Sequence, residues 1–111
     1  MAAQPASKPV DDLAEEAWLR LADGERSVRL RSLSQYLKRG EQVTEVRLIE
    51  GADGLYTIWV RLTDRPGEFR VNQYDVDEPK TYKDLNLAVA AIRDDFGYLG
   101  TIALSTDRRQ R

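Results

Sequence analysis

The residues best able to do chemistry in this chain are arginines, tyrosines, carboxylates and two tryptophans, because histidine and cysteine are both absent. Without cysteine there is no disulfide, no thiolate nucleophile and no sulfur-bound zinc. Without histidine the chain lacks the commonest metal ligand and the side chain best suited to proton transfer near neutral pH. Catalysis would fall to a carboxylate, Lys, Tyr or Ser. The sequence holds no P-loop, no G-x-G-x-x-G and no nucleophile elbow. The acids of DVDE, Asp75 to Glu78, together with Asp53 are the nearest thing to a cation site. They lack the glycine and the register of a calcium loop, so they read as a solvated turn. The expectation is a protein that is not an enzyme and takes no cofactor and no metal.

Recognition is the chemistry that remains. In GLYTIWVRLTDRPGEFRV, Tyr56, Ile58, Val60 and Leu62 alternate onto one side of a strand, and Thr57, Trp59 and Arg61 onto the other. The same alternation in the flanking segments puts Glu45, Arg47 and Ile49, then Arg70, Asn72 and Tyr74, on the Trp59 side. Aromatic and guanidinium groups on one flat surface serve protein interfaces and base-stacking platforms alike. The partner-binding set is therefore Arg47, Trp59, Arg61, Arg70 and Tyr74, with the indole as anchor and the arginines giving orientation and ion pairing. Two plainer readings compete: an ordinary exposed sheet face with a Trp–Arg stack, or a face covered by an N-terminal helix through Trp18 and Leu21.

A second candidate surface is RSVRLRS with LKRG. Arg26, Arg29, Arg31, Lys38 and Arg39 place five positive charges within 14 residues. Such a run is either a solvated face or a contact for nucleic acid or an acidic partner.

The elements that must position these groups follow from period and punctuation. At 111 residues, with 41% hydrophobic and 32% charged side chains, the chain is expected to form one domain. Its net charge of -2 is uneven, since residues 1–25 hold Lys8 and Arg20 against six acids. The expected organisation is a flexible arm over 1–9, a single domain over 10–106 and a charged tail over 107–111. No run is long and apolar enough for a membrane span, and MAAQPASKPV has no apolar stretch of signal-peptide length, so a cytoplasmic protein is expected.

Within the domain, Leu13, Ala17, Trp18 and Leu21 predict a helix over Val10 to Ala22. Ser-x-x-Gln at Ser32 predicts a capped short helix ending at Gly40, while RSVRLRS before it fits either a strand or a linker. Strands follow at about 42–50, 55–63 and 68–74, with Pro66-Gly67 suited to a type II turn. Thr81 and Asp84 cap a long helix, Tyr82 to Phe96, whose stripe is Leu85, Ala88, Val89, Ile92 and Phe96. Ile102 and Leu104 make a last short strand. The fold class expected is α+β: an antiparallel three- to four-stranded sheet (β-β-β-α-β) packed on one long helix, preceded by one or two shorter N-terminal helices.

The α-β-β-β-α order from Ser32 to Gly97 is similar to that of the double-stranded RNA-binding domain. That family begins its last helix with lysines, whereas TYKDLNLAVAAIRDD has one, Lys83, and ends in acids. In texture, SLSQYLKRGEQVTEVRLIEGADGLYTIWVRLTDRPGEFRV followed by TYKDLNLAVAAIRDDFGYLGTIAL resembles small plasmid-encoded, partition-associated accessory proteins of bacteria, over about residues 32–105. The resemblance implies a non-enzymatic bacterial cytoplasmic protein that acts through a partner in plasmid or mobile-element maintenance, and the polar sheet face suits a protein partner or a homo-oligomer. It transfers no site residues. Nucleic-acid binding through the 26–39 segment stands as the alternative.

Overall fold

The computed structural model describes residues 26–107 and, for the backbone alone, residues 18–20. The expected arm over 1–9, most of the expected first helix and the tail beyond Asp107 lie outside the described residues. The elements run β1 (Trp18–Arg20), β2 (Arg26–Arg29), α1 (Leu30–Lys38), β3 (Val43–Glu50), β4 (Tyr56–Leu62), β5 (Glu68–Asn72), β6 (Thr81–Tyr82), α2 (Leu85–Ala90) and β7 (Ile102–Thr106). One π-helical turn, Ala91–Asp95, continues α2.

The centre is an antiparallel meander, as short connections require. β4 pairs β3 with Arg47 opposite Trp59 and Leu48 opposite Ile58, and pairs β5 with Trp59 opposite Arg70 and Val60 opposite Phe69. The β4–β5 turn depends on Gly67, whose φ of +95° fits the third position of a type II turn. A Cβ there would also fall 2.2 Å from Arg26 Nη1, which donates to the Pro66 carbonyl at 2.5 Å.

The flanks correct the expected fold class. β2 lies beside β5 in parallel, with Val28 opposite Val71, and β7 lies beside β3 in parallel, with Val46 opposite Ile102. β1 adds antiparallel to β2, and β6 pairs the start of β4. The result is a mixed sheet in the order β1-β2-β5-β4-β3-β7, not an antiparallel sheet of three or four strands. Because β2 and β3 run the same way, α1 must carry the chain back over the meander. α2 does the same between β5 and β7.

The helices are correspondingly short. Trp18–Arg20, expected in a helix, is a strand paired to Arg26–Val28, so pairing at a sheet edge has overridden a local helical spacing. α1 starts at Leu30 without a side-chain cap. The Leu30 and Arg31 amides instead donate to the Gln73 and Tyr74 carbonyls at 3.2 Å, leaving Ser32 inside the first turn and not at its cap. The expected long helix loses Tyr82 to β6 and begins at Leu85, where the Asp84 carboxylate accepts from the Asn86 amide at 2.7 Å.

The core lies on one face of the sheet. Val28, Leu48, Ile58, Val60 and Val71 are almost completely buried, against Leu33 and Tyr36 from α1 and Ala88, Ile92 and Phe96 from the α2 segment. The π turn, closed by the Phe96 amide on the Ala91 carbonyl at 3.1 Å, accompanies the last inward residues of that stripe. Leu85, expected on the stripe, is 37% exposed, and Val89 and Tyr56 are half-buried. Among the described residues no helix is long and apolar enough to cross a membrane.

Candidate interaction face

The opposite face of the meander carries the side chains of the other parity, and the strand registers bring Arg47, Trp59 and Arg70 into one cross-strand row. Arg47 stacks over the Trp59 ring, its guanidinium carbon 6.0 Å from the centroid. It also grips Glu68 with both arms of its fork, Nε at 3.0 Å and Nη2 at 2.7 Å. Those hydrogen bonds hold the Glu68 carboxyl below the usual glutamate range, opposed by partial burial and aided by the charges of Arg47 and Arg61.

On the other flank, Arg70 donates from Nε to Asn72 Oδ1 at 2.9 Å, and Asn72 Nδ2 donates to Ser27 Oγ at 3.0 Å. Asn72 and Ser27 are fully buried, so this bond satisfies two polar groups that water does not reach. It also fixes the Arg70 stem. The terminal nitrogens of Arg70 have no acceptor among the described residues.

The expectation of an open indole needs correction. Trp59 is only 7% exposed, with its Nε1 donating to Thr57 Oγ1 at 3.1 Å. It contributes to the wall of a groove of about 590 Å³, together with Arg47, Arg70, Ile49 and Leu55. The groove's rim comes from the β3–β4 turn, Pro79, Thr81 and the end of β7, none of which the sequence reading had placed there.

The remaining predicted residues do not line the groove, although Arg61 lies opposite Glu68 in the register. Arg61 pairs with Glu45 at 3.3 Å on the exposed end of the meander. Tyr74, 58% exposed, lies past the end of β5, where Arg31 stacks on its ring at 6.0 Å. It is therefore not a neighbour of Trp59 in the way the alternation implied.

The arginine-rich segment is largely engaged within the molecule. Arg26 spans the β4–β5 turn and stacks on Phe69 at 5.9 Å. Arg29 binds Asp77 through Nε at 2.6 Å and Nη2 at 3.2 Å, which lowers the Asp77 carboxyl below its ordinary range. Arg31 binds Asp75 through Nε at 2.8 Å and again through Nη2. The two aspartates of DVDE thus answer two arginines. No group of three or more metal-binding side chains occurs among the described residues. Lys38 and Arg39 stand exposed at the end of α1.

The architecture is that of an α+β protein with a mixed sheet, helices on one face and a polar groove on the other. No family model, curated protein or solved structure matches the chain.

Proposed function

We propose that the chain is a non-enzymatic interaction module that holds an acidic group of a protein partner in the Trp59 groove. The observation behind this reading is the state of Arg70. Its Nε is anchored through Asn72 to the buried Ser27, while its two terminal nitrogens find no acceptor among the described residues and lie beside an indole wall. A fork held in place by one nitrogen and open at the other two suits a carboxylate, which it can bind in a charge-assisted and directional way. Arg47, neutralised by Glu68, supplies packing over the indole and little net charge. The resemblance to plasmid-encoded accessory proteins agrees with a bacterial cytoplasmic module of this kind, serving plasmid or mobile-element maintenance.

The test uses the indole as reporter. In a Trp18→Phe background, titration with a poly-glutamate peptide should change Trp59 emission saturably. Arg70→Gln should weaken that binding by about tenfold or more, and Arg61→Gln should leave it unchanged. An emission spectrum indifferent to the peptide overturns the reading. The rival, contact with nucleic acid through Arg26, Arg29, Arg31, Lys38 and Arg39, is measured by an electrophoretic shift across a salt series. A steep loss of binding with salt, removed by changing Lys38 and Arg39, supports that rival.

A further inference from the structure

The last strand of the sheet path has only one neighbour. β7 pairs with β3, and among the described residues nothing lies along its outer edge. Which backbone groups face outward follows from a single bond. The Asp107 amide donates to the Glu50 carbonyl at 2.8 Å, and Glu50 is the register partner of Thr106. Residue 107 therefore turns its polar groups toward β3, and by alternation so do 105 and 103. Ile102, Leu104 and Thr106 turn theirs away from it.

Proteins usually blunt such an edge with Lys, Pro, a bulge or a cover. IALST carries no charge and no proline, and Leu104 on it is 53% exposed. We propose that β7 is the seat of a symmetric dimer, in which it pairs antiparallel with β7 of a second copy about Leu104.

That register alone uses every outward group. Centring on Leu104 sets Leu104 against its twin and Ile102 against Thr106, so each of these residues exchanges both of its backbone bonds with the other copy. A centre at Ala103 or Ser105 leaves one outward residue without a partner. Packing favours the same arrangement: Leu104, on the core face beside Leu48 and exposed on its own, gains its twin as an apolar neighbour at the axis. An edge of this kind is its own complement, as an isologous interface requires. The contact uses the outer backbone edge of β7, which meets the Trp59 groove only at its rim, and Arg70→Gln leaves that edge intact, so either proposal can fail without the other.

Sedimentation of the full chain over a concentration series should show a shift from 12.7 kDa toward twice that mass. Leu104→Lys sets two cations face to face at the axis and should return the monomer, with circular dichroism reporting an unchanged fold. The chain's lack of cysteine allows a second, register-specific measurement. Under mild oxidation Leu104→Cys should form a covalent dimer, since residues opposite each other in a hydrogen-bonded pair lie within disulfide reach. Ala103→Cys, which faces Ser105 in this register, should crosslink far less. A chain that stays monomeric at its highest soluble concentration refutes the proposal, as does a dimer indifferent to Leu104→Lys or equal crosslinking at 103 and 104.

Discussion

Glu68 shows how a single side chain links the sheet face to solution conditions. Its carboxyl is held down first by hydrogen bonds from Arg47, so the folded state binds its proton less readily than the unfolded chain does. The stabilisation is present above the ordinary glutamate value of 4.5 and is lost as pH falls through the lower folded value. Asp77, held down by Arg29, acts in the same sense. Thermal unfolding between about pH 6 and pH 3 should therefore show a falling midpoint, and Glu68→Gln should make that fall shallower. Superimposable pH curves for the two proteins would mean that the pair contributes nothing to stability. At this scale the sequence was partly legible. Parity alone placed Arg47, Trp59 and Arg70 together, because a strand's period of two is rigid. It could not show that Glu68 or Asn72 would claim those arginines, since that depends on how far a side chain reaches across a strand.

At the scale of elements, Tyr36 joins α1 to the β4–β5 turn. Its hydroxyl donates to Asp64 Oδ1 at 2.5 Å and accepts from the Asp64 amide at 3.3 Å. Tyr36→Phe keeps the buried ring and deletes both contacts. It should lower the urea midpoint, at a cost of about 1–2 kcal/mol, without altering the m-value. A drop in m instead would mean that α1 detaches. Burial, and then the Asp64 hydrogen bond, raise the Tyr36 hydroxyl above its usual 10.0. Its contribution is therefore complete below that pH and is lost as pH rises through the folded value, so the variant should also resist alkaline unfolding better relative to its neutral stability.

The meander and its turns could be read from the sequence because each is specified by adjacent residues, whereas the cap was expected at Thr81, which lies in β6, and Asp84 itself does the capping. β2 could be read only as a strand or a linker, and β6 not at all. Four and two residues long, they owe their conformation to distant partners, Phe69 to Asn72 and Tyr56–Thr57. Trp18–Arg20 misled for the same reason, since local spacing favoured a helix and pairing won.

For the whole molecule, the sheet's edges come from the two ends of the described chain, with the meander between them. Removing residues 102–111 takes away β7 and opens the outer edge of β3 along Val46 to Glu50. The shortened protein should lose its sharp two-state transition, or keep it at a much lower temperature, by calorimetry. A transition unchanged in midpoint and enthalpy would show that β7 is an appendage and not part of the fold. The mixed fold class was hidden at this scale because parallel pairing leaves no turn between partners. α1 and α2 can be recognised as crossovers only once β2 and β7 are known to be strands.

The crossing of the meander by α1 and α2 has a consequence for the order of events on the ribosome. β2 leaves the exit tunnel long before β5, the strand it must lie against, has been made, and β3 likewise waits for β7, the last made of the strands described. Early synthesis therefore yields segments whose greasy sides have nowhere to rest, and the nascent protein can close this sheet only after β7 has emerged.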